Sequence, residues 1–136
     1  MARGAECVVI VTEDESLKNR VKAILEYYKI EVIIENSSLK SILKILTDEI
    51  FFLLLDFDYP ENSIIDLITI LKLTRPRLPI VVILERISRD RFKKLIDAGI
   101  FHYLLKPAQT EEIGRIIEAI RRFHEKDANI LNTKIV

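Results

Sequence analysis

Asp56 closes the apolar run Phe51-Phe52-Leu53-Leu54-Leu55 and is followed at once by Phe57-Asp58-Tyr59-Pro60. A buried strand that delivers a carboxylate to its C-terminal tip points to chemistry or ion binding, because open α/β sheets bind their ligands beyond those strand ends. Three other places offer reactive groups after apolar runs: Thr12-Glu13-Asp14 behind Cys7–Val11, Glu85 behind Ile80–Leu84, and Lys106-Pro107 behind Tyr103–Leu105. Singly, each has a plain structural alternative. A strand-end aspartate can satisfy loop N–H groups, a lysine before proline can be a solvated turn residue, and acids such as Glu13 and Asp14 favour a helix start. Together, two carboxylate clusters and one lysine meeting in one crevice make a site.

Their positioning rests on five short apolar segments, Cys7–Val11, Glu31–Ile34, Phe51–Leu55, Ile80–Leu84 and Tyr103–Leu105, each too short for a helix and bounded by polar residues or proline. Between and after them lie stretches with helical spacing. These are Leu17, Val21, Ile24, Leu25; Leu39, Ile42, Leu43, Leu46; Ile64, Leu67, Ile68, Leu71; Phe92, Leu95, Ile96; and Ile113, Ile116, Ile117, Ile120, Phe123. Ser38, Ser88 and Thr110 suit N-caps, Gly99 suits a C′ position, and Arg121, Arg122 and Lys126 stand where the end of the last helix favours cations. Strict βα alternation with strands apolar throughout implies a parallel sheet covered on both faces and joined by right-handed crossovers. The small solution is a flavodoxin-like three-layer α/β sandwich, strand order 2-1-3-4-5, with five helices. The domain spans 6–126, and 127–136 reads as a disordered C-terminal tail or the start of a linker.

With 136 residues the chain fits one domain able to bury its own core. Twenty-one basic and 21 acidic residues cancel, so no global charge draws it to nucleic acid or an anionic membrane, and no basic recognition helix is present. Its apolar runs fall far short of the ~20 residues that cross a bilayer, and the start lacks a secretory h-region, so a cytoplasmic location is expected. Cys7, the one cysteine, reads as a small buried hydrophobe. His102 and His124 have no ligand set around them.

From about Glu6 to Glu125 the sequence resembles the receiver domain of two-component response regulators. The resemblance rests on the acid after the third strand with Tyr59-Pro60 behind it, on Lys106-Pro107 after the fifth, and on Gly99 and Tyr103 at the family's spacing before that lysine. It implies that Asp56 is the phosphoacceptor nucleophile and Lys106 pairs with a phosphoryl oxygen. It implies further that Mg²⁺ is held by Glu13, Asp56 and the Asp58 backbone carbonyl, and that Tyr103 is the switch aromatic. The protein would then be a self-catalysing phosphoacceptor rather than a turnover enzyme. Its partners would be a sensor histidine kinase or other phosphodonor, and a downstream protein meeting the face made by the fourth and fifth helices and the fifth strand; a homodimer is left open.

Three positions depart from the family pattern. Where two adjacent acids are usual, an ungapped alignment through Leu17 gives Thr12 and Glu13, whereas a one-residue slip would use Glu13 and Asp14. Leu84 stands where a Ser or Thr hydroxyl would bond the phosphoryl group and draw the next loop inward. The loop after Pro60 lacks the usual glycine. Thr12 and Leu84 keep a second reading open, a pseudo-receiver that binds partners without regard to phosphate, and Lys106 could serve Asp56 as a standing salt bridge. A flavin or nucleotide carrier on the same fold is disfavoured by the acidic loop Thr12-Glu13-Asp14-Glu15, which repels phosphate unless a divalent cation intervenes.

Overall fold

A computed structural model describes residues 6–35, 49–57 and 64–135. Five strands, β1 (Cys7–Val11), β2 (Glu31–Glu35), β3 (Phe52–Asp56), β4 (Ile80–Leu84) and β5 (His102–Leu105), pair in parallel in the order β2-β1-β3-β4-β5, as the sequence predicts. Four helices are described: α1 (Glu15–Tyr27), α2 (Ile64–Thr74), α3 (Arg89–Ala98) and α4 (Thr110–Ile135). The predicted helix around Leu39–Leu46, with its cap Ser38, lies outside the described residues.

Strand side chains alternate between the two faces, and the core divides accordingly. Val8, Ile10, Leu54 and Ile83 face one cluster, closed by Val21 and Leu25 of α1 and by Ile113, Ile117 and Ile120 of α4. Val9, Leu55, Val82 and Leu84 face the other, closed by Leu67, Ile68 and Leu71 of α2 and by Leu95 of α3. Strands β3 and β4 are buried along their whole length, which is why they read as unbroken apolar runs.

Helix boundaries follow local chemistry. Asp14 caps α1, its carboxylate accepting from Leu17 N–H at 3.1 Å, and Ser88 caps α3 by accepting from Arg91 N–H at 3.2 Å. Gly99 ends α3 at φ 99°, a left-handed conformation that glycine adopts without strain. Thr110 proves to be the first helical residue of α4, with Ile113 N–H donating to Gln109 O. That helix runs unbroken to Ile135, so the segment from Asp127 expected to be disordered is helical; no proline or glycine interrupts Asp127-Ala-Asn-Ile-Leu-Asn-Thr-Lys-Ile. Arg121, Arg122 and Lys126 therefore sit in its middle rather than in its last turn. Arg121 spans elements instead. Its guanidinium donates to both Glu6 carboxylate oxygens, at 2.7 Å to Oε1 and 3.1 Å to Oε2, and to Tyr28 O at 3.1 Å, and its charge is held still more firmly by the Glu6 hydrogen bond.

Two stability tests arise from this packing. A Cβ on Gly114 of α4 would collide with the Tyr28 hydroxyl. Gly114→Ala should therefore lower stability in urea melts by about 1–3 kcal/mol in spite of alanine's better helix propensity, and in a Tyr28→Phe background the cost should drop below about 1 kcal/mol. The second concerns Lys72 of α2, whose ammonium donates to Pro76 O at 2.7 Å and Leu78 O at 3.2 Å, and whose pKa is lowered from 10.5 by desolvation. Between that lowered value and 10.5 the unfolded chain holds the extra proton, so stability rises with pH across this alkaline window. Stability curves measured against pH should lose that component in Lys72→Met.

No helix among the described residues is long and apolar enough to cross a membrane.

Candidate functional site

Counting by twos along the strands brings three side chains to one corner. Asp56 follows Leu54 by two residues, Thr12 follows Ile10 and Lys106 follows Leu104, and all three precursors belong to the cluster under α1 and α4. The parallel register aligns these ends, with Val11 beside Leu55 and Asp56 beside Ile83. Asp56 is only 4% exposed and Thr12 fully buried. The Thr12 hydroxyl donates to Asp56 Oδ2 at 2.7 Å, and Lys106 Nζ reaches the same oxygen at 3.2 Å. The predicted standing salt bridge thus exists, with the lysine side chain one-fifth exposed at the mouth of the site. A backbone bond holds Lys106 in place, its N–H donating to Leu84 O at 2.9 Å.

Thr12 is the residue whose part sequence reasoning missed. It was legible only as the place of an absent acid. In the structure its oxygen also accepts from Asp14 N–H at 3.1 Å, so one hydroxyl joins the Asp56 carboxylate to the capping residue of α1. Asp14 spends Oδ1 on that cap, the helix-start role expected for it, while Glu13 is exposed beside the site. Leu84 is 1% exposed and belongs to the cluster on the opposite face, under α2 and α3, so the position without a hydroxyl is filled core rather than an open socket. Phe57 turns toward that same face, and the Arg91 guanidinium lies 4.7 Å from its ring centre. Tyr103 is 36% exposed and packs edge-on against Phe92 of α3 at 5.0 Å. His124 accepts a structural task, its Nε2 lying 2.8 Å from Phe51 O, and Cys7 is half-buried at the start of β1.

A cleft of about 310 Å³ opens beside Lys106 between Asp14, Arg20 and Glu85, with Arg20 tied to Ala108 O at 3.3 Å.

A hard divalent cation asks for one or two carboxylates and keeps several waters. Asp56 and the exposed Glu13 supply oxygens of that kind, so a water-rich ion fits the chemistry of the donors. Thr12, aiming its proton at Asp56, faces the site as a donor and not as a ligand. Among the described residues no group of three or more His, Cys, Asp or Glu is gathered to hold a metal, and the Asp58 carbonyl lies outside the described residues.

The fold is that of a known class. The family model for the response regulator receiver domain matches residues 8–118, and the chain belongs to that family. Among solved structures it is similar to a CheY-like receiver domain protein from Methanospirillum hungatei JF-1, at 21% identity and a TM-score of 0.81 over 90% of this chain and 99% of that one. It is similar to an adenylate cyclase structure from Rhodopirellula baltica, at 21% identity and 0.81 over 97% and 99%. A third is the receiver domain of a sensor histidine kinase from Pseudomonas aeruginosa PAO1, solved with magnesium in its active-site cleft, at 16% identity and 0.74 over 85% and 97%. At these identities the likeness shows the fold. No protein with a curated description matches the sequence.

Proposed function

We propose that this receiver domain accepts a phosphoryl group on Asp56 and relays a signal in a cytoplasmic two-component system. The observation that carries the reading is the approach of Lys106 Nζ to Asp56 Oδ2, 3.2 Å, at the convergent ends of β3 and β5. An oxygen of the Asp56 carboxylate attacks phosphorus and forms the new O–P bond. The P–N bond of a kinase phosphohistidine breaks, its electron pair stays on the imidazole nitrogen, and the phosphoryl group passes to Asp56. Lys106 leaves the carboxylate, its charge now removed by phosphorylation, and follows the charge to a phosphoryl oxygen. Mg²⁺, when bound, supplies further neutralisation of the phosphoryl oxygens, with Asp56 and Glu13 as the described oxygens that would hold it. Water later hydrolyses the acyl phosphate and restores Asp56, so the carboxylate is a recycled acceptor and not a turnover catalyst.

The output face of this reading is α3, β5 and α4, where Ile96 and Leu105 are about half exposed beside Tyr103 and offer apolar contact to a protein partner or a second copy. A second reading, an interaction module indifferent to phosphate, draws on Leu84, whose packing leaves no hydroxyl at the end of β4.

The test is intact mass after incubation with Mg²⁺ and acetyl phosphate. One phosphoryl group should be added to the wild-type chain and none to Asp56→Asn. An unmodified wild-type chain, under conditions that label an ordinary receiver, sinks the first reading and leaves the second.

A further inference from the structure

We infer that Thr12 is the positioning residue through which the state of Asp56 reaches helix α1, so that the first turn of α1, and not the start of α3, registers phosphorylation. This inference rests on the phosphoacceptor reading above for its biological input, but its physical content does not. The Thr12 side chain is fully buried, and its oxygen is engaged on both sides: it donates to Asp56 Oδ2 at 2.7 Å and accepts from Asp14 N–H at 3.1 Å. With an N–H pointing at its lone pair, the hydroxyl proton can serve only Asp56. Asp14 in turn caps α1 through Leu17 N–H at 3.1 Å. Asp56, Thr12, Asp14 and the first turn of α1 are thus one chain of hydrogen bonds.

On the other flank the described side-chain hydrogen bonds form no such chain. The Leu84 side chain is buried on the opposite face of the sheet and is apolar, and the Ser88 cap of α3 is a local bond to Arg91 N–H. Beyond the backbone bonds from Lys106 N–H to Leu84 O at 2.9 Å and from Phe57 N–H to Ile83 O at 2.8 Å, a described contact from α3 toward the neighbourhood of Asp56 is the Arg91 guanidinium over the Phe57 ring, which carries no acceptor charge.

Phosphorylation converts the Asp56 carboxylate into an acyl phosphate, whose carbonyl oxygen is an uncharged acceptor. The Thr12 bond then loses its charge assistance, and a hydroxyl that donates less strongly is also a weaker acceptor for Asp14 N–H. Lys106, at the mouth, can follow the charge outward; Thr12, enclosed, cannot. Passed on through the shared hydroxyl, a cooperative change of about 10–30% in a bond worth about 1 kcal/mol corresponds to a loss of protection of up to about 2-fold at the Asp14 amide, with a shift of its proton.

Amide hydrogen exchange and amide proton shifts read this at Asp14 and Leu17, with Arg91 as the control at the start of α3. Asp56→Asn presents a neutral acceptor without any phosphorylation, so the inference is tested even if no adduct forms. The Asp14 amide should exchange faster and shift in Asp56→Asn and, where acetyl phosphate labels the protein, in the acyl phosphate form. The response should persist in Thr12→Ser and vanish in Thr12→Val, while Arg91 stays still. An Asp14 response to Asp56→Asn of equal size in Thr12→Val, or one centred on Arg91, overturns the inference. Failure of acetyl phosphate to label the wild type refutes the phosphoacceptor reading alone.

Discussion

Lys106→Met should cost the fold about 2–3 kcal/mol, between the ~0–1 kcal/mol of an exposed ion pair and the ~3–5 kcal/mol of breaking a fully buried one. The intermediate value follows from the geometry of the pair: Asp56 is 4% exposed, while Lys106 is 20% exposed and partly reached by water. Removing the cation leaves a buried carboxylate that has lost its ion-pair partner while still accepting from the Thr12 hydroxyl at 2.7 Å. The penalty is that of an uncompensated charge, so Lys106→Met combined with Asp56→Asn should be no more than about 1 kcal/mol less stable than Asp56→Asn alone. Urea melts of the four proteins close this cycle. A coupling energy near zero would mean that the ion pair does not hold the corner together in solution.

Leu84→Thr should destabilise by about 2–4 kcal/mol, because it removes packed apolar volume and places a hydroxyl among Val82, Leu95 and the other side chains under α2 and α3. Leu84→Val, nearly isosteric with threonine, isolates the two contributions. It should cost about 1 kcal/mol, leaving the larger part of the threonine penalty to the buried hydroxyl. If threonine costs no more than valine, the hydroxyl has found a partner at the strand end. A response of the Arg91 amide to phosphodonor, absent from the wild type, should then appear in Leu84→Thr. The two halves of this prediction separate the packing role of Leu84 from the switching role that residues at this position hold in the resembled family.

Much of this architecture is legible in the residues themselves. The bounds of β1 and β4 coincide with the apolar runs Cys7–Val11 and Ile80–Leu84, β2 and β5 are each longer by a residue at one end, and β3 is shifted by one residue so that Asp56 is its last member. Such runs are read easily because parallel strands buried on both faces admit no polar alternation. The meeting of Asp56 and Lys106 follows from the strand order and the period of two. Thr12 is a different case. Its type announces only a missing carboxylate, since whether a hydroxyl turns toward an aspartate 44 residues away depends on the β1–β3 register and on the Asp14 N–H that fixes its proton. Arg121 escapes sequence reading for the same reason. On the helix pattern it falls among solvated charges, yet its partner Glu6 stands 115 residues earlier, at the foot of β1. The continuation of α4 past Asp127 turns on the absence of breakers, which weighed less than the absence of an expected core.

Both flanks of the site depend on one premise, that the Asp56 carboxylate takes the phosphoryl group. The most direct measurement is reductive trapping. The protein is treated with Mg²⁺ and acetyl phosphate, reduced with borohydride, which converts an aspartyl phosphate to homoserine, and sequenced by tandem mass spectrometry. Homoserine at position 56, absent when the phosphodonor is omitted, is the predicted result. An unreduced Asp56, or the reduced alcohol at another aspartate or glutamate in its place, would contradict the account.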